Sequence, residues 1–214
     1  MSAKFGRCRI VVCLLLTFSF VSVSGAQVVP FDNREYSAGV MPVQDATQTV
    51  YDYFDAGKDR TVKQRLQAVE QYHMNKDVFD NIASGKYKYA LGDIDFTLRY
   101  FPNHPRGLQL LTTVAALTKN RALPISYFEK AIALYPAHAI THAQYGWYLV
   151  TIGDLDKGIQ TLKYAIEMDP KLTAGHVWLA HAYEKKGDNE LARQAKERAK
   201  ELGYNGKLPG DPGR

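Results

Sequence analysis

Cysteine is almost missing from this chain. Of 214 residues only Cys8 and Cys13 carry a thiol, and both sit near the start. Everything after Cys13 is therefore without a disulfide framework, a cysteine metal site or a cysteine nucleophile. Long apolar runs are scarce too. The one present, residues 10–23, follows Lys4, Arg7 and Arg9 and precedes Ser24, Gly25 and Ala26. A positive start, a short apolar core and a small-residue exit form the three-part pattern of a secretory signal peptide. The run falls short of the roughly 20 residues that a spanning helix needs. Cleavage near Ala26 is thus expected over retention as an anchor, and no membrane span is expected afterwards. Cys13 lies inside the apolar run without the small neighbours of a lipoprotein site, and reads as ordinary signal core. A strong excess of one charge is the third absence. Three of the 27 basic residues leave with the signal and no acidic ones do, so 24 basic residues face 22 acidic ones. That near balance gives no reason to expect nucleic acid as a partner.

What the chain does have is a period. Pro102, Pro136 and Pro170 stand 34 residues apart, each closing a similar run, and Gly153 and Gly187 keep the same spacing. Gly85 lies two periods before Gly153. Ala131, Ala165 and Ala199 keep step, as do Leu111, Tyr145 and Leu179. Several independent columns on one ruler are the mark of a repeat architecture.

Within a period the pattern reads helix, short turn, helix. Residues 139–152 place Ile140, Ala143, Tyr145, Trp147, Leu149, Val150 and Ile152 on a wide apolar face at helical spacing. Gly153-Asp154 breaks the run, with Asp154 placed to cap the second helix. Residues 155–168 resume it with Leu155, Ile159, Leu162, Ala165 and Ile166, and Pro170 stops it, since proline cannot donate the bond of another turn. The next unit repeats the pattern through Val177, Leu179, Ala180 and Tyr183, then Gly187-Asp188, then Leu191, Ala192, Ala195, Ala199 and Leu202. Small residues at Gly146, Ala180, Gly158 and Ala192 predict close helix crossings. Tyr145, Leu162, Leu179 and Tyr183 are expected to fill the seams between units, because no single unit can bury its own apolar face.

At these residues the chain resembles the tetratricopeptide repeat family. The signature positions are Gly146, Gly153, Ala165 and Pro170 in one unit and Ala180, Tyr183, Gly187, Ala192 and Ala199 in the next. The resemblance covers residues 71–202, four units, and its period is that family's 34 residues. It implies an all-α fold, a right-handed α-solenoid of about four helix-turn-helix units. Two units depart from the pattern. In the second, Thr112 replaces the small residue, Lys119 the turn glycine and Pro124 the usual alanine, so its turn is expected to be irregular, with Pro124 in the first turn of the second helix. In the first, Asp77 stands where a large apolar residue belongs, and a short first helix near residues 75–83 is expected. The stretches 50–54, 65–70, 93–99 and 101–104 are also similar to a group of exported bacterial tetratricopeptide proteins of unsettled role, which sharpens the fold and adds little on function.

The resulting layout is a signal peptide at 1–26, an N-terminal arm or linker at 27–60, a capping helix at 61–74, repeats over 75–203 and a loose tail at 204–214. The capping helix rests on Val62, Leu66, Val69 and Tyr72 spaced among charges. The arm carries Tyr51, Tyr53 and Phe54 and is expected either to extend freely or to pack against the first unit.

Catalysis finds little support. Six histidines, His73, His104, His138, His142, His176 and His181, invite a metal reading. His138 and His142 have i, i+4 spacing, but His138 falls in the turn after Pro136. His142 and His176 share one repeat position, where a large ring packs between helices. Neither a cysteine nor a paired carboxylate stands near to complete a zinc site. Asp93 and Asp95 are too close in sequence to share a helix face, and no strand-turn-helix elbow presents a serine. No enzyme, metal or cofactor is expected.

A stacked repeat offers a hollow inner face instead. The family resemblance implies that Asn75 and Phe79, Gln109 and Thr113, Ala143 and Trp147, and Val177 and His181 line it, each pair four apart on one helix. Trp147 is the expected anchor for a partner segment. Thr113, Trp147 and His181 stand where a basic clamp for acidic peptide ends would need Asn or Lys, so an apolar or mixed segment is the expected ligand. The function expected is an exported, periplasmic or secreted scaffold that binds a protein or peptide. The alternative is a structural envelope protein that self-associates into a homo-oligomer.

Overall fold

The computed structural model describes residues 49–206. The expected signal peptide, the first part of the arm and the end of the tail lie outside them. Among the described residues there are nine α-helices and no strand. They are α1 (Arg60–His73), α2 (Lys76–Ala83), α3 (Tyr87–Tyr100), α4 (Pro105–Thr118), α5 (Leu123–Leu134), α6 (Ala139–Ile152), α7 (Leu155–Met168), α8 (Thr173–Lys186) and α9 (Asn189–Glu201). A single 3₁₀ turn, Ala56–Lys58, precedes α1. Four helical hairpins come after α1: α2 with α3, α4 with α5, α6 with α7 and α8 with α9, and each packs on the next. The fold is an α-solenoid of tetratricopeptide-like units.

Turn chemistry explains where the helices stop. Gly153 and Gly187 adopt φ of 98° and 89°, the left-handed region that a side chain disfavours. Past each glycine the chain closes a Schellman turn, with Asp154 N–H donating to Leu149 O at 3.0 Å and Asp188 N–H to Tyr183 O at 2.9 Å. Unit 2 also has a left-handed residue after its first helix, Lys119 at φ 58°, the only non-glycine at positive φ among the described residues. Its turn runs over residues 119–122 without the Schellman bond and is irregular, as expected. Pro124 does sit in the first turn of α5. Helix α2 is short, eight residues against fourteen for α4, α6 and α8. Asp154 stands at the N-cap of α7, but its side chain makes no cap bond. Its backbone, at φ −82° and ψ 71°, is not the extended conformation that aims a capping oxygen at the first turn.

The crossings follow side-chain size. A Cβ built on Gly146 would fall 2.9 Å from Leu162 N and 3.0 Å from Gly158 O. One on Gly158 would fall 2.9 Å from both Gly146 O and Val150 N. Backbone therefore meets backbone in unit 3, where unit 4 uses Ala180 and Ala192. Above these crossings Leu162, Ala165, Leu179 and Ala180 form one core, while Val78, Ile94, Leu98, Leu108, Leu111, Val114 and Phe128 form another across units 1 and 2. Complete burial of a side chain the size of Phe128 contributes roughly 1.5–3 kcal/mol. The first helices touch in sequence, α4 on α6 and α6 on α8, while no comparable contact joins α5 to α7 or α7 to α9. The first helices thus form the inner face.

Helix α1 lies along α3. Val62, Leu66 and Val69 pack as their spacing suggests, in a cluster with Tyr51, Tyr53, Tyr100 and Phe101. Tyr72, expected on the same stripe, is 66% exposed. The side chain that turns inward beside it is His73, whose ring stacks on Phe96 with centroids 4.0 Å apart and whose Nδ1 lies 2.8 Å from Asp93. The arm takes the packed alternative over the described residues. Tyr51 N–H donates to Tyr100 O at 2.8 Å, and Tyr53 N–H to Asn103 Oδ1 at 2.9 Å.

Candidate partner-binding face

The inner face is richest where α6 meets α8. Trp147 leaves α6 and Trp178 leaves α8 so that their indoles stack at 6.3 Å, 11° from parallel. His181, one turn on from Trp178, sets its ring 5.6 Å from Trp147 at 55°. One further turn along, Lys185 brings its ammonium to 5.9 Å from the Trp147 centroid, at the outer reach of a cation–π contact. Burial lowers the His181 pKa below its ordinary value, which keeps the imidazole neutral beside the lysine. Lys185 is exposed and makes no ion pair among the described residues. Two partly buried indoles and one unpaired cation form a platform suited to an apolar or aromatic side chain with a negative group nearby.

Toward the other end the face thins. Phe79 is partly buried with the Arg106 guanidinium 4.6 Å over its ring. Gln109 is exposed, and the Thr113 hydroxyl donates to Gln109 O at 3.1 Å. Asn75 has little to offer a partner. It caps α2, with Oδ1 accepting from Asp77 N–H at 2.9 Å and Nδ2 donating to Gln71 O and Tyr72 O.

Two further residues expected on the face are enclosed. Ala143 is 0% exposed in the seam between units 3 and 4. Val177 is 2% exposed because the chain turns back after Gly203 and Tyr204 packs on it with Ala199 and Trp178. The surface available from the eight residues reduces to Phe79, Gln109, Thr113, Trp147 and His181. Sequence reasoning missed Trp178 and Lys185. Lys185 could have been found as the residue one turn beyond His181; Trp178 could not, because its neighbour Trp147 lies in the preceding unit.

A family model described as "Tetratricopeptide repeat" matches residues 174–202, which is unit 4. Unit 4 thus matches a tetratricopeptide repeat. Units 1 to 3 carry a similar helical hairpin with their own turn and crossing residues. No curated protein matches the chain. Solved structures with a similar fold include MamA from Desulfovibrio magneticus RS-1, 21% identical over 65% of this chain and 84% of that one, with a TM-score of 0.46. Another is MamA AMB-1, 19% identical over 72% and 88%, with a TM-score of 0.43. A third is YrrB, described as a TPR protein with an unusual peptide-binding site, 21% identical over 59% and 65%, with a TM-score of 0.45.

Two of the other histidines and the Asp93 and Asp95 carboxylates are held by neighbouring groups. His142 and His176 each place Nε2 near the carbonyl of the preceding turn proline, Pro136 at 2.9 Å and Pro170 at 3.1 Å. Asp93 meets His73, while Asp95 takes Arg99 at 2.6 Å and the Tyr127 hydroxyl at 2.8 Å. Among the described residues no three His, Cys, Asp or Glu side chains group as metal ligands, and no helix is long and apolar enough to cross a membrane.

The described part of the arm, residues 49–60, packs away from the inner face. The hydrogen bonds and ring contacts of residues 51–54 run to Arg65, Tyr100, Phe101, Asn103, His104 and His138. All of these lie on α1, on the end of α3 or at the turns between units.

Proposed function

We propose that this protein is an exported interaction module that holds a segment of another cell-envelope protein on the inner face of its array and performs no chemistry. The stacked Trp147–Trp178 pair beside the unpaired Lys185 carries this reading. A partner segment lays an apolar side chain against the indoles and brings a carboxylate to the lysine. Aromatic anchors of this kind hold much of an interface's energy, and loss of one costs about 2 kcal/mol or more. The competing reading, end-to-end self-association, meets a polar end. The outer side of α9 carries Arg193 paired with Glu190 and Glu197, and Arg198 paired with Glu201.

The test is recovery of partners from envelope extract with wild-type protein and with Trp147→Ala. The variant is expected to lose at least one partner that the wild type retains, at equal bait loading and equal helical content. Identical recovery of every partner would remove the inner face from the account.

A further inference from the structure

The first and second helices of the units differ in charge. The fourteen-residue helices α4 and α6 contain no Asp or Glu, and α8 contains one, Glu184, which pairs with Lys196 on α9. The second helices α3, α5, α7 and α9 each carry at least one acid, and α9 carries three. Before α4, the short α2 holds Asp77 and Asp80, and Asp80 pairs with Lys76. From α4 to α8 the inner-face helices therefore offer no unpaired carboxylate.

Two cations stand there, and each is seated on a ring. Arg106, in the first turn of α4, holds its guanidinium 4.6 Å over Phe79. Lys185, in the last turn of α8, holds its ammonium 5.9 Å from the Trp147 centroid. Both side chains are exposed and make no ion pair among the described residues. Lys186 beside the second pairs with Asp156 instead. An aromatic face under a long cationic side chain narrows where its charge can go.

Their separation sets a length. Helices α4 and α8 lie on either side of α6, two interhelical steps of roughly 9 Å each. Lys185 is two periods after Leu117, which lies about eleven residues beyond Arg106 on α4, or about 16 Å of axial rise. The two cations thus stand about 24 Å apart, which an extended chain spans in about seven residues. Trp147, one period after Thr113, falls between them on this diagonal with Trp178 stacked on it.

On the reading that partners bind the inner face, we infer that the partner segment is an extended peptide with two carboxylates about seven residues apart and an apolar or aromatic side chain between them. One carboxylate meets Arg106 and the other meets Lys185, while the middle side chain lies on the Trp147–Trp178 pair.

The test uses the purified full chain and a labelled glycine-serine peptide with two aspartates seven residues apart and a phenylalanine midway, monitored by fluorescence anisotropy. Saturable binding is expected. Changing either aspartate to alanine should weaken it about threefold, the size of one exposed charge contact. A peptide with the two aspartates adjacent has the same charge but reaches one cation only, and should weaken by a similar factor. Arg106→Gln should make one of the two aspartate changes silent and Lys185→Gln the other, at unchanged helical content. Binding indifferent to aspartate spacing, or to both Arg106→Gln and Lys185→Gln, overturns the inference. If such binding still weakens in Trp147→Ala, the inner face remains the binding face and only the two-carboxylate ligand is lost; if it does not, both are lost. Absence of saturable binding also overturns the two-carboxylate ligand and leaves the inner face to the partner-recovery test.

Discussion

Lys119 shows how much one residue can carry. Its φ of 58° lies in the region where Cβ crowds the neighbouring carbonyl, at a cost of roughly 1–2 kcal/mol for a non-glycine. Units 3 and 4 meet the same geometric need with Gly153 and Gly187. Glycine at 119 would remove the strain while adding freedom to the unfolded chain, and the first effect is the larger. Lys119→Gly is therefore expected to stabilise the protein by about 1 kcal/mol. A urea titration in which the midpoint rises at constant slope would show it. That departure was legible in the sequence, because the glycine column of the repeat has a lysine in it. What it leads to, a left-handed turn retained at a cost, was not, since a turn could equally have reshaped itself around the lysine.

Among elements, the hairpins differ in how tightly they close, and glycine decides it. At the α6–α7 crossing both contact residues are glycine, and each faces backbone atoms 2.9–3.0 Å from where a Cβ would stand. Backbone cannot give way as a flexible side chain can, so the two helices would have to part. Gly158→Ala is expected to destabilise by about 1–3 kcal/mol, the usual range for overpacking a close contact. Ala192→Gly at the matching place in α9 leaves a gap and a more flexible helix in place of a clash, and should cost about 1 kcal/mol. Chemical denaturation of both variants checks the ordering. The crossing itself was readable from small residues one period apart. The extent to which Ala143 and Val177 are enclosed was not, because their cover comes from the next unit and from Tyr204.

At the scale of the whole molecule, a short strap joins parts of the array that their own stacking leaves apart. Asp52 accepts from Asn103 Nδ2 at 2.7 Å and lies 2.6 Å from His138 Nε2, so one carboxylate ties the turn after α3 to the start of α6. Burial would raise its pKa, but the bonds from His138, Asn103 and the Phe54 backbone outweigh it and the net shift is downward. Below the strap, His104 is 1% exposed and accepts the Gly107 N–H at 3.1 Å through Nδ1. Its burial lowers its pKa from 6.5, only partly offset by Glu70 at 3.2 Å. Both groups bind protons more readily in the unfolded chain. Stability is therefore fully present above pH 6.5, falls as pH drops below that value through the His104 and His181 shifts, and falls again below 3.8 as Asp52 protonates. Urea midpoints measured from pH 7.5 to 5 should decline, and less steeply in His104→Asn, which keeps a capping side chain without the titration. An equal slope in the two proteins would show that the buried imidazole is not the source.

The sequence alone determined the period, the four hairpins and the glycine turns of units 3 and 4, down to the short α2 and the placement of Pro124. These depend on local chemistry: a glycine's freedom at positive φ, a proline's missing donor and the 3.6-residue rhythm of apolar side chains all act within a few residues. Only the tertiary structure decided which inner-face residues remain open, that Trp178 joins Trp147 and that the strap runs to the turns. Each of those depends on which distant residues meet, as Asp52 and His138 do across 86 positions, and spacing along a chain does not encode that meeting.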